Sequence, residues 1–219
     1  MNNQLLDVDK LKVTIDDRIL KESVSFKLFS GDILRIKGSN GSGKTTLMRH
    51  ILGLYSSSSG KIDFGFEFKL GDTIGYFPQN WQHTLLPWLS AWGNFALGLA
   101  NHNDNKNING LLKLAHTFFP NRITNSSEDS PLIILHKILS DWDILKMSGG
   151  EQEKIVLLRT VVNAPKILFL DEPFRDLDFS STKSLIECIN TIINDNKSAL
   201  VFISHQEVNI SPTLELNMD

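Results

Sequence analysis

The sequence predicts an α/β fold: a parallel-sheet core with an N-terminal antiparallel β subdomain and a helical insertion. Three observations carry the prediction. Residues 5 to 37 show the β-branched and aromatic alternation of half-buried strands. From residue 148 on, helical spacing and buried apolar strands take turns, and strands separated by helices make a parallel sheet. Between these regions strand signals fade and apolar residues fall at helical spacing. The chain reads as one domain over 1–219, with 1–79 and 148–219 as the α/β core and about 80–147 as a helical subdomain.

In order, "LLDVDKLKVTI" and "ESVSFKLF" are strands, and "SGD" marks the turn after them. "ILRIKG" is a buried strand that runs into "GSNGSGKTT". Leu47, Ile51, Leu52 and Leu54 then keep a helical spacing. "YSSSSGKIDF" is a polar turn leading into a strand. In "SAWGNFALGL", Trp92, Phe95, Ala96 and Leu99 form one stripe and Ser90 is placed to cap the helix. Trp81 and Trp88 lie outside that stripe and are the candidates for a partner's groove. Asn-rich loops, "NHNDNKNING" and "FFPNRITNSSEDSP", follow. The last part alternates a helix at 150–163, the strand "KILFLDEP", a helix at 180–194 and the strand "SALVFISH", with "TLELNM" as an edge strand.

Composition removes several functions. A net charge of −3 gives no electrostatic case for nucleic acid. One cysteine, Cys188, forms no internal disulfide and no metal cluster. No apolar run approaches the roughly 18 residues that cross a bilayer, and "MNNQLLDVDK" has no secretory pattern. The expectation is a cytoplasmic protein, with any membrane part supplied by another chain.

The chemistry concentrates in three places. "GSNGSGKT" fits the phosphate-loop pattern G-x-x-x-x-G-K-[ST], and it stands between a strand and a helix as a phosphate-loop (P-loop) NTPase requires. Gly38, Gly41 and Gly43 let backbone N–H groups wrap phosphates, Lys44 neutralises the terminal ones and Thr45 ligates Mg²⁺. "ILFLDEP" is an apolar strand ending in two acids. Asp171 would hold Mg²⁺ through water, and Glu172 would act as general base on the attacking water. "FISHQ" places His205 at the end of a neighbouring strand, able to donate to a γ-phosphate. His50, His83, His102, His116 and His136 lack such a setting and read as structural or solvated.

"GSNGSGKTT", "FPQN", "MSGGEQ", "ILFLDEP", "RDLD" and "SHQ", in that order, resemble the ATP-binding subunit of ATP-binding cassette (ABC) transporters over essentially the whole chain. The resemblance implies the ABC ATPase fold, ATP and Mg²⁺. ATP would be cradled by Gly38, Ser39, Asn40, Gly41, Ser42, Gly43, Lys44, Thr45 and Thr46, with Gln79 contacting Mg²⁺ and the attacking water. It further implies head-to-tail pairing of two cassettes, expected to be a homodimer. Ser148, Gly149 and Gly150 of one chain would then cover the γ-phosphate held by the other, and Asp178 would line the seam. A separate integral membrane subunit would carry the substrate, with the cassette peripheral on its cytoplasmic face.

The chain departs from the pattern in places. The aromatic residue that such subunits stack on adenine falls at Ile15, which removes the stacking contribution of roughly 0.5–1.5 kcal/mol. Met147 replaces a leucine, and "RDLD" replaces "SALD". "TLLPWLSAWGNFALGL" is similar to the matching segment of nitrate, taurine and alkyl sulfonate importers. The missing aromatic and the short tail also resemble the small cassette of the cytochrome c maturation haem exporter. The alternative class is a non-transport ABC ATPase of DNA repair, chromosome organisation or translation. Its usual coiled coil, zinc module or tandem cassettes have no counterpart in this sequence.

Overall fold

The computed structural model describes residues 3–16, 18–56, 59–99, 108–122 and 129–219. The alternating N-terminal segments form a long hairpin, β1 (Gln4–Ile15) with β2 (Arg18–Phe29), and β4 (Lys61–Phe64) pairs antiparallel on the other side of β1. Leu6, Val8, Leu11 and Val13 are fully buried on this sheet's inner face. Lys10 has φ 49 and the register shifts between Val8 and Leu11, so a bulge resets the alternation within one strand.

The second sheet is parallel throughout, in the order β5 (Ile74–Phe77), β6 (Ile167–Asp171), β7 (Ala199–Ile203), β3 (Ile33–Lys37), β8 (Leu214–Asn217). Every residue of β6 and β7 is buried, as expected of strands covered on both faces. Leu168 and Leu170 point into one core, with α5 (Gly149–Val161) and α6 (Phe179–Asn196). Ile167 and Phe169 point into the other, with α1 (Lys44–Ile51) and the hairpin. β8 is the edge strand that "TLELNM" predicts. β5 is a strand the sequence does not announce, because Gly75 dilutes its pattern. A Cβ at Gly75 would meet Leu168 Cδ1 and Pro165 Cγ at 2.8 Å, so close packing of neighbours on β5 requires the glycine.

Between β5 and α5 the described residues form α2 (Ala91–Ala96), α3 (Ile108–Phe118) and α4 (Pro131–Leu139), with short 3₁₀ turns. Ser90 caps α2 by accepting from Gly93 N at 3.1 Å, and Phe95 is buried. The fully buried Asn94 accepts from Leu86 N and donates to the carbonyls of Leu86, Leu89 and Ser90, which pins the preceding loop. The tryptophans divide. Trp88 is 75% exposed on that loop, whereas Trp81 is only 6% exposed and packs into the core, so Trp81 is not a surface for a partner. His102 lies outside the described residues, as does most of "NHNDNKNING". Cys188 is buried on α6.

Candidate functional site

The site is built where the parallel strands end. β3 delivers the chain into residues 38–43, and α1 starts at Lys44. Gly41 and Gly43 hold φ 83 and 99, the left-handed region open to glycine at little cost. At Gly38 a Cβ would fall 2.5 Å from Ser42 Oγ, so the loop could not fold this tightly with a side chain there. Lys44 is 8% exposed, and its Nζ donates to the carbonyls of Gly38 (2.9 Å) and Ser39 (2.8 Å).

On the adjoining strand end, Thr45 Oγ1 donates to Asp171 Oδ2 at 2.7 Å. Asp171 is 1% exposed and its other oxygen, Oδ1, is buried with no partner. Burial holds this carboxyl above the ordinary range, against the opposing hydrogen bond from Thr45. A hydroxyl beside an unsatisfied carboxylate oxygen is the oxygen set that a hard divalent cation takes.

Glu172 follows at φ 58, an unusual conformation for a non-glycine residue, with its N–H bound to Ile203 O at 3.0 Å. Adjacent strand residues point to opposite faces; this kink brings both acids to one site. His205, just past β7, donates its backbone N–H to Glu172 Oε2 at 3.3 Å, and its Nε2 lies 3.4 Å from Glu172 Oε1.

A cavity of about 330 Å³ joins these groups. Asn40, Gly41, Gly43, Lys44, Thr45 and Thr46 form one wall, and Asp171, Glu172 and His205 another. Gln79, just after β5, and Ile15 also line the cavity. Arg18 and Leu20 join Ile15 there. Neither carries a motif, but Arg18 sits directly across the hairpin from Ile15, so the strand pairing was the signal that could have found it.

Gln79 and Glu172 also line a second, polar cavity of about 220 Å³ with Glu153, Arg175 and Asp176. Burial, then Asp176, pushes Glu153 up to about 7.

Ser148, Gly149 and Gly150 do not line the cavity that holds Lys44. Ser148 caps α5 in a reciprocal box with Glu151, whose Oε2 accepts from Ser148 N at 2.8 Å. A Cβ on Gly149 or Gly150 would meet nothing within 4 Å, so this helix start faces open space. Asp178 caps α6 by accepting from Ser181 N and Oγ, which together hold its carboxyl at about 2.

The ABC transporter family matches residues 21–175, from β2 through the two acids and Arg175. The chain belongs to the ABC transporter family. The zinc import ATP-binding protein ZnuC of Buchnera aphidicola is 31% identical to this cassette over 201 residues, covering 91% of this chain and 74% of that protein. The Fe(3+) ions import ATP-binding protein FbpC 2 of Haemophilus influenzae is 29% identical over 94% of this chain and 56% of its own length. A bacterial ABC transporter cassette solved as a dimer has the same fold, with a TM-score of 0.69 at 20% identity over 92% of this chain and 88% of that one. The cassette is thus an ATP-binding subunit and an ATPase. Among the described residues no helix is long and apolar enough to cross a membrane.

Proposed function

We propose that this cassette hydrolyses ATP in head-to-tail pairs to drive a separate membrane-spanning subunit, from the cytoplasmic face. The convergence of Thr45–Asp171 and Glu172–His205 on one cavity carries the reading. Phosphates would sit on the loop N–H groups of residues 38–46 other than that of Ser39, with Lys44 leaving the carbonyls of Gly38 and Ser39 to meet them. Thr45, Asp171 and Gln79 would hold Mg²⁺, for which the buried, unpartnered Asp171 Oδ1 is an open ligand. When bound, the ion offsets charge on the phosphate oxygens.

Glu172 would take the proton from the attacking water as general base, and His205 would keep that carboxylate aimed while donating toward the γ-phosphate. Ile15 would offer the base an apolar contact. Ser148, Gly149 and Gly150 would close over the γ-phosphate of a second copy, consistent with the open space around both glycines. The exposed Trp88, held out by the Asn94-pinned loop, is a contact for the membrane subunit. The relatives' names favour import over the haem-exporter likeness and over a non-transport ATPase.

Glu172→Gln tests the assignment. Turnover should fall by roughly 10²–10⁴-fold while ATP binding is kept. Hydrolysis by this variant at the wild-type rate would remove Glu172 from its role.

A further inference from the structure

β8 ends where the phosphate loop begins. It lies parallel beside β3, with Leu34 opposite Leu214 and Lys37 opposite Asn217. Since β3 runs directly into Gly38, whatever follows β8 arrives against the loop. Met218 is buried and donates its N–H to Lys37 O at 2.9 Å, which fixes the next residue. Asp219 Oδ1 then accepts twice from one residue of the loop: from Ser39 N at 2.7 Å and from Ser39 Oγ at 2.8 Å. Lys21 of β2 donates its Nζ to the Asp219 carbonyl at 2.5 Å, and Asp219 N donates to Asn217 Oδ1 at 3.1 Å. The aspartate is therefore tied from three directions while its carboxylate grips the loop.

Ser39 is held at both ends of its backbone. Its N–H and hydroxyl bind Asp219, and its carbonyl accepts from Lys44 Nζ. A peptide plane is rigid, and the Ser39 N–H shares its plane with the Gly38 carbonyl, so fixing that N–H fixes the direction of the Gly38 carbonyl. That carbonyl, with that of Ser39, is where Lys44 rests.

We propose that Asp219 is a positioning residue for the phosphate loop. Its carboxylate orients Ser39 and, through the Gly38 carbonyl that shares a peptide plane with the Ser39 N–H, sets the place from which Lys44 engages the nucleotide phosphates. Loop order is then supplied in advance from the sheet edge, so binding ATP need not supply it. The hydrogen bonds from Ser39 hold the Asp219 carboxyl below the ordinary range, which favours its anionic form. An anion beside a phosphate site opposes binding by repulsion. The same charge strengthens the two hydrogen bonds that order the loop. The proposal is that ordering dominates. It rests on the reading of this cavity as the ATP site.

The experiment compares wild type with Asp219→Ala and Asp219→Asn, measuring ATP hydrolysis and equilibrium binding of a fluorescent ATP analogue. Wild type must bind and hydrolyse ATP; if it does not, the reading of the cavity fails before the proposal is tested. Asp219→Ala loses both contacts to Ser39, so KM and the binding constant should weaken by roughly threefold to tenfold, with kcat changed less than about twofold. Asp219→Asn keeps an oxygen acceptor and should stay within about twofold of wild type. Amide exchange at residues 38–44 should accelerate in the alanine variant and not in the asparagine one. The proposal is overturned if Asp219→Ala binds ATP as wild type does, or if Asp219→Asn is as impaired as Asp219→Ala. Tighter ATP binding by both variants overturns it too, since repulsion would then be the main effect of the carboxylate.

Discussion

Thr45 Oγ1 donates a 2.7 Å hydrogen bond to Asp171 Oδ2, joining the start of α1 to the end of β6 across 126 positions of sequence. The bond leaves Asp171 Oδ1 buried and without a partner, a condition that costs roughly 1–3 kcal/mol unless something fills it. Asp171→Asn keeps the size of the side chain and removes its charge. ATPase activity should fall by roughly 10²–10³-fold, the scale of losing one aimed electrostatic group. The Mg²⁺ dependence of ATP affinity should weaken with it. Nucleotide titrations with and without Mg²⁺ check this, and an unchanged Mg²⁺ dependence would move the ion elsewhere.

Nucleotide choice should be loose. Ile15 and Arg18 both line the cavity, and Ile15 offers no aromatic face to the base. Ile15→Tyr should raise ATP affinity by roughly 2- to 10-fold, the range of a stacking contact. Arg18→Ala should lower affinity for both nucleotides, by about 2- to 5-fold if the guanidinium lies over the base. Equilibrium binding of ATP and GTP to the three proteins is the measurement. No gain in ATP affinity for Ile15→Tyr would place the base away from residue 15.

Stability should carry a pH signature from Glu153. Burial and Asp176 raise this carboxyl from 4.5 to about 7, against the milder pull of Lys154 and Arg175. The folded state therefore binds its proton more tightly than the unfolded chain does. The resulting stabilisation is full below pH 4.5, declines as pH rises toward 7, and is gone above it. Glu153→Gln should remove that slope. At pH 8 it should stabilise the fold by on the order of 1–2 kcal/mol, less than full linkage because the adjoining cavity admits solvent. Denaturant unfolding at pH 5 and pH 8 decides it; an unaltered pH slope in the variant would assign the effect to another group.

The chemistry was legible because it is local. A phosphate loop needs its glycines and Lys44 side by side, and the paired acids need consecutive positions at a strand end. Even the approach of both acids to one site follows from a chain that must turn there, which Glu172 does at φ 58. What stayed hidden depends on partners distant in sequence. Gly75 reads as a strand breaker until Leu168 and Pro165 are seen against it. Trp81 lies off the helical stripe and reads as surface, yet it enters the core on a 3₁₀ turn with no stripe of its own. The bulge at Lys10, inside the strand "LLDVDKLKVTI", has no sequence signal of its own. Arg18 and Asp219 have no pattern at all; pairing across β1–β2 and β3–β8 alone brings them to the site.

The claim that each ATP site is shared by two chains is tested most directly by mixing two inactive variants. Ser148→Arg places a bulky cation at the start of α5, where the approach to a second copy is open. Lys44→Ala removes the phosphate clamp. Each should be nearly inactive alone, since every site in a symmetric pair carries a lesion. In a mixed pair both lesions fall on one shared site, and the other keeps a native Lys44 and a native Ser148. The account predicts that ATPase activity returns in part on mixing, with a dimer cross-link forming under ATP between residue 148 of one copy and the region of residue 40 of the other. Mixed pairs that form but regain no activity, with cross-links confined to single chains, would contradict it.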